Sequence, residues 1–444
     1  MPEDISSFLD AKGIKFVRIV WCDNGNVIRG KAVHRNFFPD YVRHGVGISE
    51  AQQAVPVTID APAPGSGLGP VGEVRLVPDL ETLVPLPYAP GHARVMGDMV
   101  RDGKAWPFCP RHFLKRMIEA ASSAEIDVMG AFENEFYLLQ PSAESIVSVD
   151  GTPFASTRSM DLNRPVIDAI ADALLAQSIG VEQYYAESGP GQQEISMQYT
   201  HALSAADQQI AFRETVHALA AHHRLKASFL PKIFADQAGS GCHLHISLWN
   251  GGNNLVPAPG GLHELSSRAR QFMAGILRHL PALMALTTPS TNSYRRIRPH
   301  CWSGAFRCWG WDNREAAIRV PTCPEAPSPT HFELKTVDGS ANPYLAFGAV
   351  IAAGLDGVNQ CLELPDPVSV DPGILAESER FMRGIDPLPT LLGESIGALE
   401  KDTVLLGALG EDLARAYLAV RRAEWETLKD WEPEREVALL LDRY

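Results

Sequence analysis

The chain of 444 residues has a formal net charge of -14, with 45% hydrophobic and 21% charged residues. This balance suits a globular protein with a large core and room for two or three domains. Strong acidity disfavours nucleic acid and anionic membrane as partners, and no apolar run reaches membrane-spanning length. The acidic start MPEDISSFLD lacks a basic-then-apolar export segment, so a cytoplasmic location is expected. Seven cysteines, Cys323 among them, are scattered, odd in number and free of any CxxC pair. Reduced thiols fit that pattern better than disulfides or a zinc site.

In chain order, β-forming residues flank Asp23-Asn24-Gly25-Asn26 within residues 14–34, a hairpin signal. Residues 56–91 are rich in Pro and Gly and hold short extended pieces such as Val74 to Val77. Residues 1–105 therefore read as a small β-rich domain, and residues 106–444 as a larger region of mixed strands and helices. Pro110 opens an amphipathic helix, at the first-turn position where its missing N–H costs nothing. From about Gly407 the chain is again helical by pattern, with one charged side.

Acidic residues gather in the second region. Residues 128–139, VMGAFENEFYLL, read as a strand. Glu133 and Glu135, two apart, share a face opposite Phe132, Asn134 and Phe136. An isolated ExE is commonly a solvated strand face; two like charges on one face also suit a cation. Glu187 and Glu194 bracket a Gly-Pro-Gly turn in YYAESGPGQQEISMQ, so flanking strands would bring both to one centre. In AGSGCHLHIS (residues 238–247), glycines allow a tight turn and close ligand approach. The alternation that follows puts His243 and His245 on one face, suited to a metal, or to a metal and a phosphate. Glu333 lies in HFELKTVDGSANPYL. Carboxylates with one imidazole suit Mg²⁺ or Mn²⁺, and two or more such ions would clamp a nucleoside triphosphate. Arg296, Arg314 and Arg319 fall in NSYRRIR and WDNREAAIR; guanidinium forks suit phosphate and carboxylate. Neither a GxxxxGK[ST] loop nor a convincing GxGxxG is present.

The ordered set of ExE, E(x6)E after a Gly-Pro-Gly turn, GSGxHxHxS, NSYxR, NRxxxxR and ExK followed by ANPYL resembles the glutamine synthetase superfamily over nearly the whole chain. The resemblance implies an α+β fold: an N-terminal β-grasp domain and a larger catalytic domain with an antiparallel sheet and surrounding helices. It implies active sites shared between neighbouring subunits of a homo-oligomer, a dodecamer of two hexameric rings. It makes Glu135, Glu187 and Glu194 ligands of one metal and Glu133, His243 and Glu333 ligands of a second, with Mg²⁺ or Mn²⁺ as the ion and about two or three ions per site. His245, Ser247 and Tyr199 fall beside ATP. Arg296, Arg314 and Arg319 hold substrate carboxylate and phosphate groups, Arg319 on the nucleotide side. Gly239 and Lys335 border L-glutamate. The implied chemistry is ATP-dependent phosphorylation of the glutamate γ-carboxylate, then displacement of phosphate by an amine.

The departures from the family pattern concern the amine. Glutamine synthetases carry a flap near PGxEAP whose Glu takes a proton from ammonium; here the segment is Pro299 to Gly304 and that position is Trp302. An Asp that the family places at the ammonium pocket from the neighbouring N-terminal domain corresponds to Ser49. Both changes remove anionic groups that a small cation needs, and Trp302 offers apolar area and cation–π contact instead. The family's Asn before GSG is Ala238, and the Arg after the last metal Glu is Lys335, which keeps charge but loses the fork. The chain is similar to a divergent branch with nodulin-like and fungal-sporulation-type members and with bacterial γ-glutamyl-amide ligases. The modifiable Tyr of the bacterial adenylylation motif is absent from Gly384–Pro389. The expectation is a ligase for an organic amine; a true glutamine synthetase and an inactive ring-forming scaffold are the alternatives.

Overall fold

The structure, a computed structural model, describes residues 5–142, 145–259, 264–322 and 330–444. Cys323 lies outside them. After helix α1 (Ile5–Ala11) come β1 (Phe16–Cys22), β2 (Ile28–His34), α2 (Phe38–His44), β3 (Val46–Ser49), β4 (Glu73–Pro85), β5 (His92–Arg101) and β6 (Lys104–Ala105). They form one sheet in the order β2-β1-β5-β4-β3, with β6 on β5. The expected hairpin is β1–β2, with Cys22 opposite Ile28. Its turn is held from inside: the Asp23 carboxylate accepts the N–H groups of Gly25 and Val27, both at 2.9 Å. The same turn docks on the second sheet's neighbourhood. Asn26 Nδ2 donates to Gly339 O at 2.9 Å, and Asn342 Nδ2 donates to Asp23 O at 3.0 Å.

The rest of the chain begins with α3 (Pro110–Ser123), Pro110 in its first turn as the sequence predicts. Then follow β7 (Asp127–Gln140), β8 (Val147–Ser148), α4 (Thr157–Leu175), β9 (Val181–Ala186), β10 (Gln192–Met197), β11 (Thr200–His201), α5 (Ala202–His222), β12 (Lys226–Ser228), β13 (Cys242–Asn250) and β14 (Asn253–Asn254). Helices α6 (Ser267–Thr287) and α7 (Ser293–Arg296) lead to β15 (Phe306–Trp311), β16 (Ala316–Val320), β17 (Phe332–Leu334) and α8 (Pro343–Asn359). With the short β18 (Asp386–Pro387) at one edge, the sheet runs β18-β15-β16-β17-β13-β7-β10-β9 along its main path. Neighbours on that path are antiparallel except β15 and β16, which run parallel with a register shift between Phe306 and Trp309.

Helix α8 is apolar all round and almost wholly buried. Asn342 caps it, accepting N–H groups of Tyr344 and Leu345, which satisfies two of the donors a helix start leaves open. With α3, α5 and α6 it covers one face of the large sheet. That leaves the face bearing Glu133, Glu135, His243 and His245 to line cavities. The C-terminal helical stretch breaks at Gly410, between Thr403–Leu409 and Glu411–Leu428. Among the described residues no helix is long and apolar enough to cross a membrane. The six described cysteines are free thiols.

Candidate active site

The site is assembled by strand register. β13 lies between β7 and β17, with His243 opposite Glu133 and His245 opposite Glu333. On the other edge of β7, Glu194 of β10 stands opposite Glu135. Period-two alternation then points these side chains to one face. His243 Nδ1 lies 3.1 Å from Glu133 Oε2 and 3.0 Å from Glu333 Oε1, and its Nε2 lies 3.8 Å from Glu135 Oε1. His245 Nε2 is 3.6 Å from Glu133 Oε2. Ligand atoms of Glu133, His245 and Glu333 lie within 4.8 Å of one another. His245, expected beside ATP, is therefore also within reach of a metal, as one reading of the His pair allowed. The solvated-face reading of ExE fails: Glu135 is 9% exposed, because β10 and β13 flank it. Glu187, just past the end of β9, is half-buried in the same cavity. The turn to Glu194 needs Gly191 at φ 71°, a conformation that favours glycine.

Burial and crowding divide the carboxylates into two kinds. Burial opposes ionisation of Glu133 and Glu333, yet both are held well below the usual range, Glu133 by His243 and His245, Glu333 by Lys335 and His243. Glu194 is pushed up to about 11 by burial, then by Glu133, Glu135 and Glu187, and its Oε1 has no hydrogen-bond partner. Burial also raises Glu135. Too many carboxylates converge here for the local cations, and one buried oxygen is left over. A hard, oxygen-rich donor set of this kind fits divalent cations such as Mg²⁺ or Mn²⁺.

Two cavities meet at Glu133, which lines both. The larger, of about 900 Å³, holds Glu135, Glu187, Glu194, Arg296, Arg314 and Trp302 on its walls. The smaller, of about 380 Å³, is bounded by Tyr199, His245, Ser247, Trp249 and His331. Tyr199 and Trp249 stack there with ring centroids 6.3 Å apart and planes 13° from parallel. Ser247 Oγ accepts the Trp249 indole N–H at 2.8 Å.

The other expected residues are spread around this centre. The Arg296 guanidinium is buried and donates to the carbonyls of Lys335 at 3.2 Å and Val337 at 3.0 Å. Gly239 packs against it: a Cβ there would overlap Arg296 Cγ and lie 2.7 Å from Pro231 O. Lys335, expected to face glutamate, also lines the larger cavity, but its ammonium is engaged with Glu333 Oε1 at 3.1 Å. Arg319, expected on phosphate, lines neither cavity; it donates to Glu333 Oε2 at 3.2 Å, its register partner on β17. Ser49, at the end of β3 opposite Glu73, lines neither. Trp302 is 57% exposed at the rim, with the Arg314 guanidinium 5.9 Å from its ring centre.

Several residues escaped the sequence reading. Trp249 continues the odd-numbered face of β13, so the alternation could have found it. Gln192 Nε2, whose role rests on the fold of the turn, donates to Glu135 Oε2 at 3.2 Å and Gly239 O at 3.0 Å. Glu315 accepts backbone N–H groups of the 299–304 segment, and no local signal announces that.

Comparison with known proteins gives the family. Residues 107–438 match the glutamine synthetase catalytic-domain family and residues 5–106 its N-terminal-domain family. The chain is 36% identical over 428 residues to a gamma-glutamylpolyamine synthetase, GlnA3, of Streptomyces coelicolor, covering 95% of this chain and 91% of that protein. It is 32% identical over 460 residues to type-1 glutamine synthetase 1 of Dictyostelium discoideum, covering 97% and 90%. A solved GmaS/ADP complex superimposes with a TM-score of 0.86 at 31% identity over 99% of both chains. The chain belongs to the glutamine synthetase family of ATP-dependent ligases.

Proposed function

We propose that the chain joins the γ-carboxylate of L-glutamate to an organic primary amine, alkyl or aryl, through a γ-glutamyl phosphate. One observation carries the choice of amine: at the rim of the larger cavity, where the family pattern has a flap Glu, stands the indole of Trp302 beside Arg314. Without the flap carboxylate, ammonium loses the anionic group that would bind it and take its proton, while the apolar indole gives hydrophobic contact that only a substituted amine can use. The relative named gamma-glutamylpolyamine synthetase supports a γ-glutamyl-amide product, and the likeness to the GmaS/ADP complex supports use of an adenine nucleotide. Glutamine synthetases of similar identity support the second reading, in which ammonia is the amine.

Under this reading Glu135, Glu187 and Glu194 hold one divalent ion and Glu133, His243 and Glu333 another, with His245 close enough to share in the second. Such ions, when bound, offset the negative charge of the triphosphate and of the phosphoryl group in transfer. The protein's own residues orient and neutralise. Tyr199 and Trp249 form a stacking wall for the adenine in the smaller cavity, while His245 and Ser247 border it. Arg296, immobilised by two carbonyls, presents fixed charge to the glutamate and phosphate in the larger cavity. Arg314 adds charge at the rim. Lys335 and Arg319 neutralise Glu333 and so act on the substrates through that carboxylate. The proposed division into residues 1–105 and 106–444 is supported by the family matches at 5–106 and 107–438. Ser49 acts, on this account, in the site of a neighbouring subunit of a ringed dodecamer.

The test is the ranking of amines by kcat/KM in the wild type and in Trp302→Ala. The reading expects the variant to lose preference for substituted amines. An unchanged ranking removes Trp302 from the pocket.

A further inference from the structure

We propose that Glu315 is the positioning residue of the amine pocket: its carboxylate grips the 299–304 turn from behind and fixes where Trp302 stands. This rests on the reading of Trp302 as a pocket wall. Glu315 is 6% exposed, directly precedes β16 and lines neither cavity. One of its oxygens accepts the N–H of Trp302 at 2.7 Å and the other accepts the N–H of His300 at 3.2 Å. Both partners are left-handed, at φ 62° for His300 and 53° for Trp302, a conformation unfavourable to residues with a Cβ. Backbone N–H groups turned into one concavity make an anion-binding nest. Here the anion belongs to the chain itself.

The grip is anchored on its far side. Glu315 N–H donates to Asn313 Oδ1 at 3.0 Å, and Asn313 Nδ2 donates to Val368 O at 2.7 Å. The preceding residue, Arg314, sets its guanidinium 5.9 Å from the Trp302 ring centre. Two adjacent residues thus hold the backbone and the indole of the same position. The turn has two more ties. Ser303 Oγ bridges Arg298 N and O, both at 2.9 Å, and His300 Nδ1 lies 2.7 Å from Asp371 Oδ2. These secure the ends of the turn; only Glu315 reaches the N–H of Trp302 among the described contacts. Burial raises the Glu315 carboxyl, while the two N–H groups favour its anion. A glutamine there keeps the shape and loses the second charged acceptor.

The experiment uses the full-length protein as wild type, Glu315→Gln, Trp302→Ala and the double variant. Steady-state KM is measured for ATP, L-glutamate and whichever amine drives phosphate release fastest. The expected result for Glu315→Gln is an amine KM raised by about tenfold, the loss of a charge-assisted hydrogen bond. The KM values for ATP and L-glutamate should move by less than about twofold, because those contacts are not made by the turn. The double variant should be no worse than Trp302→Ala alone, since both changes act through one contact. A second readout needs no turnover: chymotrypsin should cleave after Trp302 faster in Glu315→Gln than in wild type. If Trp302→Ala shifts the amine KM and Glu315→Gln does not, the Glu315 proposal is overturned and the Trp302 reading stands. If neither variant shifts it, the Trp302 reading fails and takes the proposal with it. A parallel rise in all three KM values, or unchanged cleavage, makes Glu315 a structural residue only.

Discussion

Glu133 and His243 face each other across neighbouring antiparallel strands, with Oε2 and Nδ1 3.1 Å apart. Glu133 also lines both cavities, so under the proposed function this pair marks the point where nucleotide and acceptor meet. Its geometry is set by register, and a one-residue slip of β13 would turn both imidazoles away.

The acidic cluster makes metal binding a stability term. Mg²⁺ or Mn²⁺ at about a hundredfold excess over Kd should stabilise the wild type by about 2.7 kcal/mol, read as a rise in Tm. Glu135→Ala should blunt that rise and lower ATP-dependent turnover by more than about 100-fold, beyond the loss usual for residues that merely support a metal ligand. Near-normal turnover in the variant would remove Glu135 from the metal set.

Gly239 leaves no room for a methyl group beside Arg296 and Pro231. Gly239→Ala should displace the guanidinium, destabilise the protein by about 1–3 kcal/mol and raise the KM for L-glutamate. Denaturant unfolding and steady-state kinetics check the two effects separately. Unchanged values of both would mean that the loop relaxes freely around the added carbon.

Trp249 stacks on Tyr199 and ties down Ser247. Trp249→Ala should raise the KM for ATP by about tenfold, the scale of an aromatic contact with its hydrogen bond. The KM for the amine should stay put. A rise in the amine KM with no change for ATP would reverse the assignment of the two cavities.

Far from the site, His279 joins three helical segments. Its Nδ1 lies 2.6 Å from Asp402 Oδ2 and its Nε2 lies 3.0 Å from Asp356 Oδ2. Burial alone would lower the imidazole, but the hydrogen bonds to Asp402 and Asp356 prevail and raise it. A pKa raised on folding contributes stability that is complete below the unfolded value of about 6.5 and is lost as pH rises through the higher folded value. The stability difference between wild type and His279→Gln should therefore be largest below about pH 6.5 and shrink above it. A difference that grew with pH would contradict the ionised pairing.

The parts legible in the sequence are those carried by local pattern. Alternation placed Glu133 with Glu135 and His243 with His245, the Asp23–Asn26 turn closed a hairpin, and Pro110 opened a helix. The convergence of Glu333 on His243 was not local, since it depends on β17 pairing with β13. The resemblance makes Lys335 and Arg319 substrate contacts; the fold adds a contact of each with Glu333, which the sequence does not announce. Glu315 was invisible because its partners are backbone N–H groups exposed by left-handed φ values at His300 and Trp302. Trp249 was within reach of the same alternation that found His245, two steps further along β13.

The central claim concerns the amine, and phosphate release tests it most directly. Purified protein with ATP, Mg²⁺ and L-glutamate is assayed with ammonium, with no amine, and with a panel of alkyl, aryl, amino-alcohol and diamine compounds. The account predicts release with a substituted amine class and little with ammonium. Release with ammonium equal to or better than every organic amine would contradict it and make the chain a glutamine synthetase.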